Sequence, residues 1–348
     1  MNKERERLIA LGGAIILLAA GVWISQKKGV DDVNSGAKSS KNGSVVFPRT
    51  ERAKEKMRQR RQAALSPLNQ VRAKSVEQGN QALSRALSIP NKANVFVDVQ
   101  ALAKSPLLKK LLACQPQEIS ALEEIESVLG IDPLKDVHRV GVMDGVTAAT
   151  GAFRDLKLPE EIGEGKPYGE SAFIYPPKEG EQHLAKVGDG LVLLGESKEQ
   201  LQAAIDRVEK GGEVPSSTWS AGMNEADVVG NLDSKLLTAL LKGMGKGFPE
   251  KAEELLKDGV VRLNVEDDIT ASFDFAATSA QNGTDLSKSI KGAIAALRMK
   301  AAADDEGHLA DLLSQTRIED FEDGTFAVDL AVPGPFLLKL LECNEAPQ

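Results

Sequence analysis

A chain of 348 residues with 42% apolar side chains, two cysteines and a formal charge of −8 is long enough to bury one large core or two smaller ones. Two cysteines are too few for a disulfide framework or a thiolate metal site. The charge is split, with 18 Lys and Arg against 7 Asp and Glu in residues 1–92 and 25 against 44 in residues 93–348, and an acidic body argues against nucleic acid as its main ligand.

Residues 1–7 are a short tail carrying Lys3, Arg5 and Arg7. Residues 8–24 follow with no charge, a length at the lower edge of what crosses a hydrocarbon core of ~30 Å at ~1.5 Å per residue. The run reads as a transmembrane signal-anchor helix, with Trp23 at the interface and Lys27 and Lys28 beyond it. A cleaved secretory signal peptide is the second reading, with Ala19 and Gly21 loosely flanking a cleavage point. A buried core helix suits the run least, since it has no polar face. No cysteine stands near its end, which excludes a lipid-modified cysteine there. Lys27, Lys28, Lys38 and Lys41 nearly balance the basic tail, so flanking charge decides orientation weakly. A short basic tail before a lone first helix usually stays in the cytoplasm. The expectation is a single-pass inner-membrane protein with its body outside the cytoplasm.

Residues 25–92 read as a basic, partly helical stalk. Residues 29–46 have the Gly, Ser, Asn and Asp content of a flexible linker. Residues 50–64 favour helix but have no apolar stripe. Arg49, Arg52, Lys54, Lys56, Arg58, Arg60 and Arg61 would hold anionic headgroups at ~1 kcal/mol each if they faced the cytoplasm; otherwise they form a solvated spacer. After Pro67, residues 68–87 predict a weakly amphipathic helix. Met57, Ala64 and Val71 recur every seven residues, but Arg60 and Pro67 occupy the companion positions of a coiled coil.

From Ala93 the chain is written twice, which predicts modules over 93–212 and 213–348 joined near Pro215 and Trp219. Ala93-Asn-Val-Phe-Val-Asp-Val matches Ala226-Asp-Val-Val-Gly-Asn-Leu without a gap, at an offset of 133. Arg139-Val-Gly-Val-Met matches Arg262-Leu-Asn-Val-Glu. The segment from Leu184 to Leu194 matches that from Ile318 to Val328. Three matches in one order point to internal duplication.

Each copy predicts strand, helix, helix, hairpin, hairpin, helix. The strands are 95–99 and 227–232, and the helices 101–113 with 117–129 and 234–244 with 249–257. The first hairpins join 138–144 to 146–153 and 260–266 to 269–277. The second turn at Asp189-Gly190 and Asp323-Gly324, where glycine accepts a tight turn. Closing helices are expected at 198–210 and 335–342. Residues 155–182, rich in Pro and Gly, read as an irregular surface loop, and roughly 285–315 as a helical insert. The fold class is therefore α+β, two tandem related modules with antiparallel-rich sheets behind one N-terminal transmembrane helix. Alternation such as Phe273 and Phe275 against Ser272 and Asp274 predicts sheets with one solvated face.

Chemistry-bearing patterns are few. His138, His183 and His308 lack partners at metal-ligand spacing, and no Gly-x-Ser-x-Gly elbow occurs. Gly243, Gly245 and Gly247 around Lys246 follow a predicted helix and precede Phe248-Pro249, which reads as a helix stop rather than a phosphate loop. Asp304-Asp305-Glu306, Glu319-Asp320 and Glu322-Asp323 lack the order of a calcium loop and read as solvated charge. Cys114 and Cys343 could form one bridge, suited to an oxidising compartment, or remain two buried thiols. No catalytic, cofactor-binding or metal residue is assigned.

The expected function is a non-catalytic, membrane-anchored envelope protein that presents a duplicated acidic body to a protein or envelope component. An envelope hydrolase using paired carboxylates is one alternative. A cytoplasm-facing protein whose basic stalk binds lipid headgroups or nucleic acid is the other.

Overall fold

A computed structural model of the chain describes residues 55, 70–87, 94–114, 116–158, 163–177, 182–211, 226–235, 237–238, 252–303, 310, 313–314, 316–321 and 323–340. The apolar run 8–24, the linker 29–46, the joint 212–222, the Gly243–Gly247 segment, Asp304–Glu306, His308 and Cys343 lie outside these residues, as does the basic run 49–61 apart from Glu55. No helix among the described residues is long and apolar enough to cross a membrane.

The first described helix, α1 (Gln70–Ala86), leads to β1 (Asn94–Asp98) and then α2 (Val99–Lys104), α3 (Pro106–Cys114) and α4 (Pro116–Leu129). The hairpin β2 (Val137–Met143) and β3 (Val146–Gly151) follows. Next come β4 (Lys166–Tyr168), β5 (Ala172–Tyr175), β6 (His183–Val187), β7 (Leu191–Gly195) and α5 (Lys198–Glu209). The second half runs β8 (Val228–Asp233), α6 (Ala252–Leu255), β9 (Leu256–Val265), β10 (Ile269–Ala277), α7 (Ala280–Ala303), β11 (Arg317–Asp320), β12 (Thr325–Val332) and α8 (Gly334–Leu340). The described strands form one antiparallel sheet in the order β11-β12-β10-β9-β8-β1-β2-β3-β7-β6-β5-β4. The molecule is thus a mixed α+β fold, and its two halves meet where β1 pairs with β8.

Local differences from the sequence expectation have identifiable causes. The helix expected over 101–113 is two helices broken at Ser105, whose ψ of 127° is extended. A residue before proline is pushed out of the helical region, and Pro106 follows. Ser105 Oγ then accepts the Leu108 N–H at 3.1 Å, capping α3. The stretch 155–182 is not wholly irregular, because it supplies β4 and β5. Ala172-Phe-Ile-Tyr175 is rich in strand formers and pairs with β6, while β4 is a three-residue edge strand where Pro167 is tolerated. The helix expected over 249–257 stops at Leu255. Pairing with β10 claims Leu256, and pairing with both β8 and β10 begins at Asp258. The insert helix begins earlier than expected, at Ala280, and α5 starts with a reciprocal capping box between Ser197 and Gln200.

The sheet is covered differently on its two faces. Paired residues of an antiparallel ladder share a face, so Phe96, Gly141, Ala148, Leu193, Ala185 and Ile174 form one row. That row is packed by Leu83, Ala86 and Leu87 of α1 and by Leu201, Ala204 and Ile205 of α5. Each fully buried Leu or Ile in such a core contributes ~1.5–3 kcal/mol. Residues 25–92 were expected to be stalk, but the C-terminal part of α1 is core, and the folded body therefore begins before residue 93. Arg207 of α5 donates from Nη2 to Ala86 O at 2.6 Å, satisfying a carbonyl at the end of α1.

In the second half the opposite face is covered. Phe275, Phe326 and Val328 pack under Leu286, Ile290 and Ile294 of α7, with the Phe275 and Phe326 rings stacked at 4.8 Å. A smaller cluster joins Leu107 and Leu111 of α3 to Leu337 of α8. Cys114, the last residue of α3, is disulfide-bonded, and Cys343 is the sole other cysteine of the chain.

Candidate functional site

Two features stand out on the sheet among the described residues, a buried polar row across its middle and a partly exposed apolar face in its first half. The polar row begins at the β1–β8 junction. Asn94 faces Asn231, Phe96 faces Val229, and Asp98 and Asp227 come next in the same register; the Asp98 N–H donates to Asp227 O at 2.7 Å. Asp98 also faces Arg139, and Arg139 faces Thr150. On the other side Asp227 neighbours Asn264, which faces Thr270. Side chains of six strands are thereby aligned on one face.

The carboxylates in this row are used structurally. Asp98 Oδ1 accepts the Ala101 N–H at 2.8 Å as the N-cap of α2. Its Oδ2 accepts Arg139 Nη2 at 3.2 Å, and Arg139 Nη1 donates to Asn80 Oδ1 of α1 at 2.7 Å. Asp227, only 1% exposed, accepts the Val265 N–H at 2.7 Å through Oδ2. Asn231 Nδ2 donates to Asn94 Oδ1 at 2.8 Å. General acid–base work needs a carboxyl within hydrogen-bond reach of a substrate proton. Asp98 and Asp227 converge from different strands, yet they face backbone donors and a buried guanidinium. Asn264 is buried, and its Oδ1 has no hydrogen-bond partner among the described residues.

The histidines are not brought together. His138 lies in β2 and His183 in β6, with β3 and β7 between them. Among the described residues no group of His, Cys, Asp or Glu could hold a metal ion. The acidic stretch after Arg317 tethers neighbouring elements. Asp320 accepts Lys291 Nζ and Ser287 Oγ of α7. Asp323 accepts the Thr325 N–H at 2.9 Å and its hydroxyl at 2.6 Å, shaping the β11–β12 turn.

Hydrogen bonds from Lys291 and then Ser287 hold the Asp320 carboxyl below the usual carboxylate range, and those from Thr325 do the same for Asp323. A lowered folded-state value adds stability that is present above the unfolded value of ~4 and is lost as pH falls through the folded one. The melting temperature is therefore expected to drop on acidification below pH ~4. Asp320→Asn should flatten part of that drop while costing stability near pH 7. Parallel acid profiles for the variant and the parent, by thermal melts, would remove Asp320 from this role.

The apolar face lies opposite α1 and α5. Val140, Ala149, Val192, Lys186 and Phe173 form one row across five strands, and Val142, Thr147, Leu194, Leu184 and Tyr175 form the next. None of these ten residues is buried, whereas their neighbours on the other face are, which gives β3 and β7 their strict alternation. Phe173 is 47% exposed. Seven of the ten side chains are aliphatic or Phe, where a solvated sheet face would carry polar ones. The signal was present in the sequence as unbroken apolar runs, such as Leu191-Val-Leu-Leu, but a run does not say which face is left open. Helix α4, which packs against α3, also leaves apolar side chains exposed. Ile119, Leu122, Ile125, Val128 and Leu129 all keep some exposure, with Ile119 at 37% and Val128 at 49%.

No protein-family description matches the chain, and no curated protein does. Among solved structures, crystal form I of TP0453 superposes with a TM-score of 0.39 at 12% identity, covering 75% of this chain and 96% of that one. So loose a superposition says nothing further about the fold or the function of the chain.

Proposed function

We propose that the chain is a non-catalytic, membrane-anchored protein that presents a duplicated α+β body for binding or scaffolding outside the cytoplasm. The observation that carries the reading is the uncovered apolar face of the first half. A monomeric soluble domain rarely leaves a contiguous apolar patch of that kind without using it. The anchor is residues 8–24, with 25–69 as spacer.

Duplication into 93–212 and 213–348 is supported by register. The offset of 133 makes Phe96 and Val229 equivalent, and they are partners in the β1–β8 ladder. A residue that pairs with its own equivalent lies on a twofold axis relating the copies. The same operation exchanges Asn94 with Asp227 and Asp98 with Asn231. The second hairpins agree as well, since Leu184 faces Leu194 just as their equivalents Ile318 and Val328 face each other.

The disulfide at Cys114 supports an oxidising compartment, because cytosolic thiols are kept reduced. It weighs against a cytoplasm-facing body. An alkaline phosphatase fused after Gln348 is expected to be active in cells. An inactive but well-expressed fusion would overturn the extracytoplasmic reading.

A further inference from the structure

The exposed sheet face and the exposed helix face belong to the same chain, and among the described residues neither packs chiefly against the other. Helix α4 packs chiefly against α3, and its C-terminal end is fixed by the Lys157 N–H donating to Leu129 O at 2.8 Å. The second half shows how the chain satisfies an equivalent face. There α7 lies over β10, β11 and β12, its Leu286 and Ile290 on Phe326 and Val328, with Lys291 reaching Asp320. By the duplication, Val192 and Leu194 stand where Phe326 and Val328 do, and Lys186 stands where Asp320 does. The first half therefore offers a helix-binding face with its charge reversed, a lysine in place of an acid.

We propose that this face is occupied by α4 of a second copy of the chain, each protomer giving its helix to the other. The dimensions agree. Five strands at ~4.8 Å span about 20 Å, and a helix of 14 residues is about 21 Å long. The chemistry agrees too. Helix α4 carries an apolar arc from Ile119 to Leu129 flanked by exposed Glu123, Glu124 and Glu126, and it has no basic residue. Lys186 is the one charged side chain in the two rows of the face, and it now stands 3.6 Å from Asp189. Sheet edges do not compete for the second copy. One edge is the short β4 with Lys166 and Pro167, and the other is β11 with Arg317, Glu319 and Asp320, devices that discourage edge pairing. Two helix-on-sheet contacts would fall at the low end of specific interface areas, the class of weak, reversible complexes. The proposal rests on reading the open face as a binding surface.

Sedimentation velocity of the full chain in detergent tests it. The wild type is expected to pass from monomer to dimer between ~1 and ~100 μM, the range in which weak, reversible complexes dissociate. Phe173→Asp and Val128→Asp change side chains already exposed, so both variants should keep the parental circular dichroism and melting curve. Each alone should stay monomeric at the highest concentration. Mixed together they should associate, more weakly than the wild type, because the intact helix of the first meets the intact face of the second and the reciprocal contact is lost. A monomeric wild type, or a dimer that survives either substitution, would overturn the proposal. Monomers combined with an active phosphatase fusion would reject self-association and leave the anchored-body reading standing.

Discussion

Replacing Arg139 with alanine is expected to cost about 3–5 kcal/mol of unfolding free energy, the usual loss on breaking one side of a buried ion pair. Arg139 is 7% exposed and joins three elements at once, β2 through its own backbone, β1 through Asp98 and α1 through Asn80. Its removal leaves the Asp98 carboxylate, held beside Asp227, without its cation. Arg262 of β9 provides the control. Arg262 pairs with Asp274, whose side chain is nearly half exposed, and Arg262→Ala should cost no more than about 1 kcal/mol. Urea unfolding of both variants decides the matter. Equal losses would mean that the Arg139 cluster adds nothing beyond an ordinary surface pair.

Removing the disulfide should have an effect of similar size. Cys114 ends α3, and a bond to Cys343, the other cysteine of the chain, closes a loop that spans most of the folded body. Chain-entropy arguments give ~4.7 kcal/mol for a loop of ~100 residues, and native strain commonly reduces the yield. Cys114→Ser is therefore expected to lose about 3–5 kcal/mol. The contact it reinforces is small, Leu107 and Leu111 against Leu337, so amide exchange should rise first in α8. A dithiol reductant should bring the wild type to the variant's melting temperature and leave the variant unchanged. Two titratable thiols in the untreated, unfolded wild type would show that no bond had formed.

Much of the local structure was legible in the amino-acid order. The hairpin turns at Asp144-Gly145 and Asp189-Gly190, the strand at Val95 and the helix after Ser197 all follow from short-range rules, because turn geometry and capping involve residues within one turn of each other. Two errors had the opposite origin. Leu256 and Lys257 favour helix locally, but pairing of Leu256 with Ala277 of β10 and of Asp258 with both neighbouring strands draws this segment into β9. Residues 172–175 looked like loop among their Pro and Gly neighbours, yet an available edge at β6 turned them into a strand.

The polar row lay further from view. Asp98, Arg139 and Asp227 are unremarkable singly, and nothing in their spacing announces that three strands align them. Only a pairing between segments more than a hundred residues apart makes them neighbours, and pairing register is not a local property.

The same division runs through the molecule. Periodicity and composition were enough to read a mixed α+β fold, because each is a property of contiguous residues. Periodicity also identified strands with one apolar face. It could not say that α1 leaves the spacer to become core, that α7 covers the sheet on one side of the second half, or that the corresponding face of the first half stays open. Coverage depends on where distant helices have room to pack, and that is settled by the order of the strands in the sheet.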